Sequence, residues 1–134
     1  LAQILLARKE VMALFAFDID GTIDADPTNF LAIMQALRAA GNKIAICTGC
    51  AGRVVGPEDI AEKAQYLRSL GVGDAYDMLV VFPDPPHVAK ADWCKNNGVN
   101  VLFDNSRENA ELTSPFCTVL VPWSTREGNK NGDS

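Results

Sequence analysis

Short apolar runs of strand length alternate with stretches of helical period along most of this chain, and that alternation leaves few folds open. The run "MALFAFD" (12–18) is continuously apolar, as a strand covered on both faces must be. "TNFLAIMQALRAAG" (28–41) then places Phe30, Leu31, Met34, Leu37 and Arg38 at helical spacing, with Asp-Pro-Thr as a start signal and Gly41 as a stop. The pattern repeats. "KIAIC" (43–47) reads as a strand, and "PEDIAEKAQYLRSLG" (57–71) as a helix with Pro57 in its first turn and Gly71 past its end. "MLVVF" (78–82) is a third strand, "PHVAKADWCKNNG" (86–98) a helix, "VNVLFD" (99–104) a fourth strand, "SRENAEL" (106–112) a short helix and "CTVLVP" (117–122) a fifth strand. Five such units predict an α/β domain: a doubly wound, five-stranded parallel sheet with helices on both faces in three layers.

The rest of the sequence narrows the class. A chain of 134 residues suits one domain, here 12–122, flanked by an N-terminal extension (1–11) and a polar tail (123–134). "LAQILLARKEV" is broken by Arg8, Lys9 and Glu10 and lacks a small-residue cleavage site, so it reads poorly as a signal peptide. A short helix or an upstream extension of the reading frame are both compatible with it. "STREGNKNGDS" has no apolar anchors and reads as a frayed tail. No apolar run approaches the ~18 residues of a membrane span, so no membrane partner is expected. The net charge of −5 opposes a general nucleic-acid-binding surface and leaves nucleic acid at most a substrate. Of the four cysteines, three fall in segments read as buried, which points to free thiols and a cytoplasmic setting. Cys47 and Cys50 form a lone C-x-x-C; with no second pair and His87 as the only histidine, a zinc or redox role is a minor alternative.

In open α/β sheets ligands bind beyond the carboxyl ends of the strands, so those ends are where function should be sought. The first strand ends in Asp18 and Asp20, the second in Thr48-Gly49, the third opens into "PDPPHVAK" with Lys90, and the fourth ends in Asp104-Asn105. Two carboxylates one residue apart cannot sit together unneutralised. A divalent cation and a lysine would supply the compensating charge.

The order D-x-D-G-T after an apolar strand, a second strand ending in Thr-Gly, a lysine, and a strand ending in Asp resembles the haloacid dehalogenase superfamily of phosphatases over 12–122. The resemblance implies a Rossmann-like core, a Mg²⁺ cofactor and an aspartyl-phosphate intermediate. Asp18 would be the nucleophile, and Asp20 the general acid that protonates the leaving oxygen and then activates water. Gly21 would let the backbone turn beside the phosphate, with Thr22 holding that turn by hydrogen bonds. The Thr48 hydroxyl would bond a phosphoryl oxygen, and Gly49 would allow close approach. Lys90, or Lys95 in its stead, would neutralise nucleophile and transferring group. Asp104 would complete the metal shell with the Asp18 carboxylate and the Asp20 carbonyl. Asp20 as an acid disfavours the dehalogenase branch, since halide displacement needs none.

One motif departs from the common pattern. Many relatives carry a second acid beside Asp104 or a few residues on, whereas this chain has Asn105 and then Glu108, which would supply charge from the outer shell. The intervals "GTIDADPTN" and "PDPPHVAK" are too short for a cap domain. A capless site is open and suits a macromolecular phosphate such as a nucleic-acid end, or a small phosphorylated molecule or nucleotide where a second subunit closes it; a monomer or a small homo-oligomer is expected accordingly. Arg53 is a candidate substrate contact or a helix-end residue, and Arg107 a weak phosphate-contact candidate. His87 reads as a loop or helix-start residue rather than a catalyst. A phosphate- or partner-binding domain that kept the fold without the activity is the alternative.

Overall fold

The structure, a computed structural model, describes residues 12–122. The expectations for 1–11 and 123–134 lie outside the described residues. The elements follow the predicted order: β1 (Leu14–Phe17), a 3-10 turn (Ile23–Ala25), α1 (Pro27–Ala39), β2 (Lys43–Gly49), α2 (Pro57–Ser69), β3 (Met78–Phe82), α3 (Pro86–Asn96), β4 (Val101–Phe103), α4 (Arg107–Thr113) and β5 (Thr118–Leu120). The strands form one sheet in the order β3-β2-β1-β4-β5, with every neighbouring pair parallel. The chain therefore builds outward from β1 to one side and then crosses to the other. The reversal falls between β1 and β4, where Phe17 lies opposite Phe103.

The apolar runs of β1–β4 are continuous because each of these strands feeds two cores. Phe17, Ile44 and Ile46 point to the face covered by α1 and α2, where they meet Phe30, Met34 and Leu67. Ala16, Ala45, Cys47 and Leu102 point to the other face, with Phe82 and Cys94. Period-2 alternation is thus present in the packing although both faces are apolar. At the reversal point Phe17 stacks on Phe103 with centroids 4.5 Å apart and planes 2° from parallel, and Phe30 meets both edge-on at 6.0 Å. Such pairs add about 0.5–1.5 kcal/mol each beyond area burial. This trio lies directly beneath the residues that follow β1 and β4.

Helix α1 starts where Asp26 accepts the Asn29 N–H at 3.3 Å and Pro27 fills the first helical position. The last strand is shorter than predicted, Thr118–Leu120 rather than 117–122. It lies at the sheet edge with only β4 to pair with, and Pro122 has no N–H to offer a ladder. No cap domain lies between β1 and α1 or between β3 and α3; the first connection holds only the 3-10 turn, anchored by the buried Ile23. Among the described residues no helix is long and apolar enough to cross a membrane. The cysteines are free, with Cys47 and Cys94 buried.

Candidate active site

The register that pairs Phe17 with Phe103 sets the next residue of each strand, Asp18 and Asp104, side by side at the reversal point, and the Asp18 N–H donates to the Phe103 carbonyl at 2.9 Å. Lys90, from the second turn of α3, reaches between them: its Nζ donates to Asp18 Oδ1 at 3.1 Å and to Asp104 Oδ2 at 3.0 Å. All three residues are fully buried. Two carboxylates against one ammonium leave a buried formal charge of −1. Burial pushes the Asp18 carboxyl well up, opposed by the Lys90 ammonium and reinforced by the Asp104 charge. Lys90 moves the other way from an ordinary buried amine: burial alone would depress it, and the two carboxylates outweigh burial and hold it protonated.

Asp104 is held by three donors. Its Oδ1 accepts the Ser106 N–H at 2.9 Å, and its Oδ2 accepts both Lys90 Nζ and, at 2.9 Å, Asn109 Nδ2. Asp18 is held by fewer: Oδ2 is buried and has no hydrogen-bond partner. The Thr48 hydroxyl, at the end of β2, is likewise buried and without a partner. Such groups cost on the order of 1–3 kcal/mol each when left unmade, and here two face the same strand ends. An anionic oxygen donor set with one uncommitted carboxylate oxygen fits a hard divalent cation. Among the described residues no third Asp, Glu, His or Cys side chain joins Asp18 and Asp104. The resemblance would add the Asp20 carbonyl to these two carboxylates, with water completing the shell.

Asp20 sits two residues beyond Asp18, half-buried, and lines a hollow of about 320 Å³ with Gly49, Lys63, Asp84, Pro86 and His87. A second hollow, of about 350 Å³, also lined by Asp20 and Lys63, continues past Glu62 and Tyr66. The loop carrying Asp20 turns at Gly21, whose φ of +73° is strained for any other residue and whose missing Cβ leaves room for the Asn105 side chain. The turn is held by Asp24, which accepts the Gly21 N–H at 2.8 Å, and by the Thr22 N–H to the Ile19 carbonyl at 3.1 Å. The Thr22 hydroxyl itself has no partner, so the side-chain role expected of it falls to Asp24. Asp24 is fixed in turn by the Tyr66 hydroxyl at 2.9 Å. Gly49 packs under Pro86, and a Cβ there would meet the proline ring at 2.9 Å.

Other candidates separate here. Lys95 is exposed and lies over the Phe116 ring, 5.2 Å from its centroid, which leaves Lys90 as the buried lysine. Arg53 is exposed in the loop after β2 and does not line either hollow, and Arg107 is exposed at the start of α4. Glu108 is also exposed, its side chain at 65%, and contacts His87 Nε2 at 3.3 Å rather than Asp104. The buried position beside Asp104 belongs to Asn109, which residue-type reasoning missed because it sought an acid. Its signal was Ser106-x-x-Asn109, a cap and its third helical residue: Ser106 Oγ accepts the Asn109 N–H at 3.3 Å. Burial pushes the Cys47 thiol up, further raised by Cys94, which removes it as a reactive thiolate. A larger hollow, about 590 Å³, lies by the loop entering β3 between Arg38 and Arg68. Arg38 there bonds the Asp74 carbonyl and Asp77, and Arg68 bonds Gln65.

Comparison with models of known protein families finds none that matches this chain, and comparison with curated proteins finds no significant match.

Proposed function

We propose that this chain is a Mg²⁺-dependent phosphomonoester hydrolase of the haloacid dehalogenase type, working through a phosphoryl group carried on Asp18. The observation that carries the reading is the buried Asp18–Lys90–Asp104 cluster, with Asp18 Oδ2 and the Thr48 hydroxyl unpartnered at the switch point of a parallel sheet. A purely structural ion cluster satisfies its own polar atoms; this one leaves uncommitted atoms at the ligand-binding edge of the sheet.

In this reading Asp18 attacks phosphorus in line while Lys90, already bonded to its Oδ1, offsets the charge that gathers on the transferring group. The Thr48 hydroxyl donates to a phosphoryl oxygen. Asp20, facing the hollow, protonates the departing alkoxide and then takes a proton from the attacking water. Mg²⁺, held by Asp18, Asp104 and the Asp20 carbonyl, would neutralise the carboxylates and polarise the phosphoryl oxygens. Leaving groups would lie over Asp20, where Asp84 and Glu62 outnumber Lys63; that lining favours an uncharged polar leaving group over the polyanionic nucleic-acid end expected from the open site. Free thiols suit a cytoplasmic setting.

The test is hydrolysis of p-nitrophenyl phosphate with Mg²⁺ by the parent and by Asp18→Asn. A drop of several orders of magnitude in kcat for a folded Asp18→Asn is expected, since an amide cannot form the acyl phosphate. A parent that binds phosphate yet does not turn over would favour the binding-domain alternative, and full activity in the variant would remove Asp18 from its role.

A further inference from the structure

We propose that His87, through Asn109, is the positioning residue that sets the orientation of Asp104; the inference rests on the phosphohydrolase reading above. The hydrogen-bond chain can be assigned outward from Asp104. Ionised and bonded to Lys90, the Asp104 carboxylate only accepts, so the Asn109 group facing its Oδ2 at 2.9 Å is the Nδ2 amide. Asn109 Oδ1 therefore faces His87 Nδ1 at 2.6 Å, and that nitrogen carries the proton. A flipped Asn109 would set oxygen against oxygen at Asp104, so Asp104 fixes the amide and the amide fixes the His87 tautomer. His87 thus braces the far end of the amide that donates to Asp104.

The consequence reaches the reacting atoms. Asp104 Oδ2 holds its two bonds, from Lys90 and Asn109, and Oδ1 holds one from Ser106, so the carboxylate plane is fixed and a lone-pair direction of Oδ1 remains for a cation. Asn109 and Asp104 are fully buried, while His87 stands between them and the hollow beside Asp20. Its other face, Nε2, meets only the exposed Glu108 carboxylate at 3.3 Å. Because Nδ1 is committed to Asn109, His87 acts by holding that amide, and proton transfer to substrate stays with Asp20 in this reading.

The experiment measures Mg²⁺ binding by calorimetry and by its shift of the melting temperature, together with kcat and KM, in the parent, His87→Ala and His87→Asn. Asparagine keeps a donor where Nδ1 stands; alanine keeps none, and His87→Leu serves if the alanine variant does not fold. Loss of an outer-shell partner typically costs about 10–100-fold in metal affinity or activity. We expect that loss in Mg²⁺ affinity and kcat for His87→Ala, little change in KM, and recovery to within about threefold for His87→Asn. A parent that is active and binds Mg²⁺ alongside an unchanged His87→Ala overturns the inference alone. An asparagine variant as impaired as alanine also overturns it, since the ring's packing would then be what matters. A parent that neither binds Mg²⁺ nor hydrolyses phosphomonoesters removes the phosphohydrolase reading and this inference with it.

Discussion

Asp18 sits where a carboxylate is costly: fully buried, beside a second carboxylate, with one oxygen bonded to Lys90 and the other to nothing. Breaking a buried ion pair usually destabilises, because it strands a charge. Here removal of Asp18 leaves Lys90 still paired with Asp104 and reduces the cluster from −1 to neutral. Asp18→Asn should therefore melt at or above the parent in metal-free buffer even as it loses activity. The pH dependence follows from the direction of the shift. An acid whose folded pKa lies above its unfolded value contributes most stability below the unfolded value and loses it as pH rises through the folded one. The gap between Asp18→Asn and the parent should thus widen as pH rises from about 4 toward neutrality. Mg²⁺ should close it by stabilising the parent, by about 2.7 kcal/mol at a hundredfold excess over Kd. Thermal melts across that pH range, with chelator and with Mg²⁺, test both statements. A variant that melts well below the parent throughout in chelator would contradict them.

At the scale of elements, helix α3 carries Lys90 into the site, and at its start Pro86 rests on Gly49 at the end of β2. A methyl at Gly49 would come within 2.9 Å of the proline ring, and the ring is not a flexible tip that can swing away. Gly49→Ala should displace the start of α3 and lower kcat by about tenfold or more, since small misplacements of catalytic groups are expensive. Pro86→Ala removes Cγ, the nearer of the two ring atoms the methyl would meet, and leaves Cβ at 3.0 Å, so the double variant should recover part of the loss; two independent losses that simply multiply would refute the contact as the cause. The same elements show what sequence could and could not reveal. Strand and helix order, the five-stranded parallel sheet and the placing of Asp18, Thr48 and Asp104 at strand ends follow from period and spacing, because β1–β4 are apolar on both faces, whereas Lys90, on a helix, is singled out by the motif resemblance. What did not follow was helical phase in α4. The helix begins at Arg107, one residue later than predicted, and its seven residues, RENAELT, carry too few apolar positions to mark the inward side. Glu108 is exposed and Asn109, not an acid, is buried. Nor could spacing show that Asp24 would brace the Gly21 turn, since that depends on Tyr66 arriving from α2.

The whole molecule decides who can reach the site. The strand order places Asp18 and Asp104 at the reversal, and the short connections after β1 and β3 leave no cap over them, so Asp20 faces hollows of about 320 and 350 Å³. A macromolecular phosphate could approach sterically. Electrostatics argues against one class of it. Asp20, Asp84 and Glu62 line the two hollows against Lys63, on a chain of net charge −5, so a polyanionic leaving group meets repulsion both locally and at long range. An uncharged alcohol meets none. We therefore expect kcat/KM for small phosphomonoesters with uncharged leaving groups to exceed that for a 5′-phosphorylated oligonucleotide by at least about tenfold, equivalent to ~1.4 kcal/mol in the transition state. Added salt should narrow the gap, because screening relieves like-charge repulsion; for a nucleic-acid enzyme with counterion release it would instead lower oligonucleotide turnover. Light scattering alongside the kinetics shows whether a second subunit closes the site. A monomer that prefers the oligonucleotide, with turnover falling steeply in salt, would show that charges outside these hollows govern substrate choice and would sink the argument.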